Sequence, residues 1–175
     1  MTVRRASRPS RLGDPGTADP GRHQSRWLAL AGFLVVTFTA PLVGVLLSDT
    51  GESDWYRALE KPSWNPPSSV FGPVWTTLYG LMAVAGWLAW RRRRSPFVVA
   101  IYAVQLALNG LWTPLFFAAH NPGAALIDIV AMLAAIVATM VAFFRQSKLA
   151  AILLAPYLGW VAFATTLNGW IWWHN

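Results

Sequence analysis

The few polar side chains inside the apolar stretches of this sequence recur at helical spacing. Gln105, Asn109, Trp112 and Phe116 follow one another at i, i+4, i+7 and i+11, so they share one face of a helix. Asp128, Met132, Ala135 and Thr139 share a face on a second stretch, Trp160, Ala164 and Asn168 on a third, and Trp75, Tyr79, Met82 and Gly86 on a fourth. Turned toward one another, these faces would wall a chamber with indole and phenyl rings, a few amides and one carboxyl. Such a chamber suits a large, flat, apolar ligand. Indole rings give wide stacking area at small entropic cost, and their N–H groups bond a carboxylate or carbonyl.

No conventional catalytic set accompanies these residues. The chain has no cysteine, which removes disulfide scaffolds, zinc-thiolate and iron-sulfur sites and cysteine nucleophiles. His23, His120 and His174 fall in a tail, a turn and the C-terminal end. No histidine pair therefore faces the interior to ligate haem iron, no metal site is expected, and a metal-free macrocycle suits the chamber better. Phosphate loops of the GxxxxGK kind are absent. Asp128 is the only acid within an apolar run, where a mid-helix aspartate costs about 2.5 to 3.5 kcal/mol. With no histidine, lysine or second carboxylate beside it, structural pairing is the better reading than a proton relay. Asn109 and Asn168 fit ligand contact and interhelical hydrogen bonding about equally. Trp27, Trp87, Trp90, Trp170, Trp172 and Trp173 stand at the ends of apolar runs, where an aromatic belt accounts for them.

The elements that must carry these faces are long. Five apolar runs, Trp27 to Leu47, Gly72 to Trp90, Phe97 to Ala119, Pro122 to Phe144 and Leu149 to Trp173, match a hydrocarbon core about 30 Å thick. With 55% hydrophobic and only 12% charged residues, the chain is built for lipid. The formal charge of +7 does not point to nucleic acid, because the basic residues sit in flanks: six in residues 1–26, four at Arg91 to Arg94, then Arg145 and Lys148. Only Arg57 and Lys61 fall on the opposite side of a five-span count. The positive-inside rule then puts the N-terminus inside and the long loop and C-terminus outside. Residues 1–26 are expected as a disordered basic tail, and residues 27–175 as one membrane domain. The connection from Ser48 to Phe71 is too long for a mere turn. Its stretch from Asp54 to Glu60 reads as a short helix capped by Asp54, after which Pro62, Pro66 and Pro67 stiffen a return path, as in a lid.

The strings WYRALEKPSWNPPSSVFGPVWTTLYGLM, LNGLWTPLFF, NPGAALIDIV and PYLGWVAFATTLN together resemble the TspO/MBR family, across roughly residues 27–175. The resemblance implies an all-α integral membrane bundle of five transmembrane helices, often a homodimer. Its first long loop caps a pocket for protoporphyrin IX, related tetrapyrroles and benzodiazepine-type compounds. No cofactor is required, porphyrin is the ligand, and the implied roles are tetrapyrrole handling and stress signalling. By matching motif, Trp75 in FGPVW and Trp160 in PYLGW fall on the pocket tryptophans tied to light-dependent porphyrin breakdown. They are the catalytic candidates if that activity holds. Tyr79, Asn109, Trp112, Phe116, Asp128, Tyr157, Phe163, Ala164 and Asn168 fall on pocket-lining positions. Trp55, Pro62 and Pro66 match the lid, as does Trp64, which is also a candidate ligand contact. The ending LNGWIWWHN lacks the tyrosine and basic residue of the sterol pattern in animal members, and an Arg-rich tail with Ala-rich helices fits a bacterial cell membrane. Binding or sensing is the first expectation, photo-oxidative breakdown the second, and transport the third, since no internal repeat supports alternating access.

Overall fold

A computed structural model describes residues 20–46, 48, 53–92 and 94–175, so expectations for the first nineteen residues of the tail lie outside the described residues. Seven helices are present among the described residues: α1 Pro20–Leu46, α2 Asp54–Ala58, α3 Ser68–Arg92, α4 Pro96–Thr113, α5 Pro122–Phe144, α6 Lys148–Leu153 and α7 Ala155–His174. α4 runs on as a π-helical turn, Pro114–Ala118, and α6 with α7 makes one broken rod. The five rods expected for an integral membrane bundle are therefore α1, α3, α4, α5 and α6–α7. Four segments are long and apolar enough to cross a membrane: Trp27–Leu46, Pro96–Ala118, Pro122–Phe144 and Lys148–His174. α3 has the length, at 25 residues, but carries Ser, Thr, Trp and Tyr on its inward side.

Several boundaries differ from the sequence reading, and proline explains three. α1 starts at Pro20 rather than Trp27, because proline at a first helical position loses no hydrogen bond and arrives with helical φ. The third rod does not continue as a regular helix to Ala119. Pro114 has no N–H to donate and crowds the preceding turn, so the chain widens, and the N–H groups of Ala119 and Asn121 reach back to the carbonyls of Pro114 and Leu115 at 2.8 and 3.2 Å. The fifth rod breaks at Leu154 because Pro156 cannot bond the Ile152 carbonyl. The cap of α2 is Ser53 and not Asp54, with Ser53 Oγ accepting the Tyr56 N–H at 3.3 Å.

Packing follows side-chain size. α4 lies against α5, α5 against α7, α3 against α6, and α1 against both α3 and α4. The buried centre comprises Met82, Ala83, Ala85 and Ala89 of α3, Tyr102 and Leu106 of α4, Met132, Ile136 and Phe143 of α5, and Tyr157 and Val161 of α7. α1 is exposed along Leu28, Val35, Val36, Leu42 and Val43, as a rod facing acyl chains is. Its inward stripe holds Phe33, Thr37, Pro41 and Gly44, with the Thr37 and Tyr102 hydroxyls 2.7 Å apart. Lipid tails are as apolar as leucine, so association here depends on close contact of small residues. Gly44 and Gly110 provide it: a Cβ on Gly44 would lie 2.5 Å from the Gly110 carbonyl oxygen, and one on Gly110 would lie 2.7 Å from that of Ala40.

Neither backbone atom can swing aside. Gly110→Val is therefore expected to lower the melting temperature in detergent by the equivalent of about 1 to 3 kcal/mol. Gly32→Ala, where nothing lies within 4 Å, should leave it unchanged or slightly raised. Equal shifts for the two would refute the close α1 to α4 crossing.

Candidate functional site

At the end of the bundle that carries α2, the rods splay around a cavity of about 790 Å³. Each of the five rods contributes to its wall. Trp75 and Tyr79 come from α3, Asn109 and Trp112 from α4, Phe116 from the π turn, Ile129 and Met132 from α5, and Trp160, Ala164 and Asn168 from α7. These include nine of the residues singled out by spacing or resemblance. The connection after α1 closes one side through Tyr56, Arg57, Lys61, Asn65, Pro66 and Pro67.

The rings are held in place by one another. Trp75 stacks on Tyr79 at 5.2 Å and meets Tyr157 edge-on at 6.3 Å. Trp112 stacks on Phe116 at 5.1 Å. Trp160 meets Phe71 at 5.8 Å and Phe163 at 5.5 Å. Edge-on and offset contacts of this kind add about 0.5 to 1.5 kcal/mol per pair beyond burial, so the wall is preformed.

The amides knit the same wall. Asn109 Oδ1 accepts the Tyr79 hydroxyl at 3.1 Å, and Asn109 Nδ2 donates to the Tyr157 hydroxyl at 3.2 Å. Tyr157 in turn donates to Met132 Sδ at 3.3 Å. Asn168 Oδ1 accepts the Trp112 indole N–H at 3.0 Å, while its Nδ2 donates to the Pro122 carbonyl at 2.8 Å. Each asparagine thus touches the cavity and ties helices together, so the two roles left open by the sequence coexist. Trp160 differs, since its buried indole N–H has no partner among the described residues.

Several expected ligand contacts stand one layer back. Tyr157 is fully buried behind Trp75, and Phe163 and Trp64 pack edge-on at 5.8 Å behind Trp160 without lining the cavity. Asp128 is buried outside the lining, and its Oδ2 has no hydrogen-bond partner among the described residues. Of the lid candidates, Pro66 lines the cavity whereas Trp55 and Pro62 do not. Trp55 does not reach down into the cavity; it stacks on His120 at 4.3 Å and on the edge of Phe116, which anchors α2 to the turn after α4. A second anchor pairs the side-chain amide of Asn175 with the backbone N–H and carbonyl of Glu60, at 2.9 and 3.2 Å.

The sequence reading missed Phe71, and with it Phe38 and Leu42 of α1, all of which line the cavity. Phe71 precedes Trp75 by four residues on one face, a signal hidden by starting the helix at Gly72 instead of Ser68. The membrane-spanning part of α1 carries only Thr37 and Thr39 as polar residues, on different sides of the helix, so its inward face is not marked by a polar or aromatic stripe.

A bundle of apolar helices around an aromatic chamber, roofed by an interhelical connection, defines an integral membrane protein with an internal chamber of small-ligand size. The chain matches the TspO/MBR family over residues 31–174, and it belongs to that family. It is 41% identical over 154 residues to the translocator protein of Homo sapiens, covering 85% of this chain and 91% of that protein. It is 40% identical over 142 residues to the tryptophan-rich sensory protein of Cereibacter sphaeroides, with 81% and 88% covered. The tryptophan-rich protein TspO of Archaeoglobus fulgidus is 38% identical over 143 residues, with 81% and 93% covered.

Removing the central amide tests the knitted wall. Asn109→Leu should cost about 1 to 2 kcal/mol of stability and Tyr79→Phe about 0.5 to 1. The double variant should cost less than the sum, because both remove one hydrogen bond. Fully additive melting shifts in detergent would show that amide and phenol do not interact.

Proposed function

We propose that this protein binds tetrapyrroles of the porphyrin type within the bundle and serves in sensing or handling them. The observation that carries the proposal is the chamber itself: about 790 Å³, in the range of about 300 to 1,000 Å³ usual for ligand pockets. Its walls are flat rings, and the Trp160 N–H has no acceptor among the described residues. A macrocycle would stack between the Trp75 and Trp160 sides and exclude water from both faces, while a polar ring substituent takes up the indole N–H. Relatives named for translocation and for sensing support such a use of the chamber. By the excess of Lys and Arg, the tail, Arg91 to Arg94, Arg145 and Lys148 lie on the cytoplasmic face, and α2 with the C-terminus outside. The working unit is a homodimer in a bacterial cell membrane.

A second reading has support from one contact. Trp75 stacked on Tyr79, whose hydroxyl donates to Asn109, offers an oxidisable pair beside a photo-excited porphyrin with molecular oxygen as electron acceptor. Light-dependent breakdown would then depend on Trp75 and Trp160.

Titrating protoporphyrin IX into detergent-solubilised protein should quench intrinsic tryptophan fluorescence saturably. The Trp75→Phe, Trp160→Phe variant should bind at least about tenfold more weakly, a loss of about 1.4 kcal/mol. Identical curves for the two proteins would remove the site assignment. Illumination with oxygen should bleach the porphyrin band faster with the wild type than with that variant if the second reading holds.

A further inference from the structure

The end of the bundle opposite α2 carries charge of one sign. Arg91, Arg92, Arg94, Arg145 and Lys148 are exposed there, where α3 ends and α5 gives way to α6. The described acids lie elsewhere: Asp54 in α2, Glu60 just after it and Asp128 inside α5. Among the described residues these five cations form no ion pair, since the pair of Arg57 with Asp54 belongs to the far end. Two of the five are held in place by rings. The Arg91 guanidinium lies 4.3 Å over the Trp87 ring, and that of Arg94 lies 4.6 Å over Trp90. Each indole leans in turn on a ring of α1: Trp87 stacks on Trp27 at 6.3 Å, and Trp90 meets Phe33 edge-on at 6.4 Å. Trp87 and Trp90 are three residues apart, so both columns stand on one side of α3 and bridge to α1.

A guanidinium lying flat on an indole keeps its in-plane N–H donors free at the edge. Indoles at the end of a membrane span settle at headgroup level, so the two forks sit at the depth of lipid phosphates. Two like charges with no carboxylate beside them also repel one another until an anion comes between them. A phosphodiester oxygen pair matches such a fork in a charge-assisted, bidentate way. Trp27 and Leu28, 62% and 66% exposed, give apolar surface for the chains of the same molecule. An acidic protein or a nucleic acid would have to reach down through the headgroup layer to these rings, whereas a lipid is already there. We propose that Arg91 and Arg94, each shelved on its indole, form a binding site for the headgroup of an anionic phospholipid whose acyl chains lie along the seam of α1 and α3. The site is separate from the aromatic chamber and stands whether or not the chamber takes a tetrapyrrole.

Phosphatidylglycerol and phosphatidylcholine with the same acyl chains test the site, because both carry the phosphodiester and only the second carries a compensating ammonium. The full chain in non-ionic detergent, titrated with each lipid and read by native mass spectrometry, should hold phosphatidylglycerol about tenfold tighter, the order expected of two basic residues at a membrane surface. The Arg91→Gln, Arg94→Gln variant should lose that preference. Arg145→Gln with Lys148→Gln removes the same charge from the same end and should keep it. Glycerol phosphate at the lipid's concentration should displace nothing. Equal affinity of the wild type for the two lipids, or a preference that survives in the Arg91 and Arg94 variant, would overturn the site. Equal loss in the two variants would show a diffuse attraction and overturn it as well. Displacement by glycerol phosphate would assign the forks to a free anion instead of a lipid. Both variants replace exposed side chains, and equal melting temperatures exclude a folding defect as the cause of any difference.

Discussion

An amide buried in hydrocarbon has no water to fall back on, and the arrangement of this bundle turns on how Asn109 meets that constraint. One side chain on α4 reaches a tyrosine on α3 and another on α7, with Met132 of α5 at the same junction. Four rods are thereby brought to a single point beneath the cavity. Measured interhelical hydrogen bonds in membranes average only about 0.6 kcal/mol, so the value of the junction lies in geometry as much as in energy. It fixes the rotation of each rod about its own axis. Trp75, Trp112 and Trp160, each one turn away from a residue of the junction, are aimed inward as a result.

The aromatic residues divide into two layers with separate duties. Trp75, Trp112, Phe116, Phe71 and Trp160 face the cavity, while Tyr157, Phe163 and Trp64 support them from behind. A ring backed by another ring cannot rotate away when the cavity is empty, which lowers the entropic cost of filling it. The connection above is tethered at two places, by Trp55 on His120 and by Asn175 on Glu60. The chain between and after these tethers supplies the wall.

Much of this was legible in the sequence, for reasons that also mark where legibility stopped. Helical spacing brought Trp75, Tyr79, Asn109, Trp112, Phe116, Trp160, Ala164 and Asn168 to a common interior, since a polar or indole group on an apolar rod has one comfortable direction. Spacing says nothing of depth, which is why Asp128 and Tyr157 on the same inward faces stand behind the wall and not in it. Trp64 and Phe163 came from motif matching, which carries position along the chain but not layer. α1, with only Thr37 and Thr39 as polar residues in its apolar stretch and the two on different sides, offered too little contrast from which to read a face. The prolines were legible as residues, and their outcomes, a widened turn at Pro114 and a break before Pro156, depended on whether neighbouring backbone groups found other partners.

Widening the turn at Pro114–Ala118 accommodates one residue more than a regular helix would over the same rise. Every side chain after it is rotated by about 100° from the course set by the preceding turns. Phe116 already shares the Asn109 and Trp112 face at regular spacing, whereas Phe117 owes its place in the cavity lining to that offset, so chain length at this point governs whether a second ring is presented. A homologue shorter by a single residue here would keep the same amino acids and the same membrane span yet show a different aromatic edge to its guest. Indels in this short window are therefore a means by which ligand preference can diverge without any change of pocket composition.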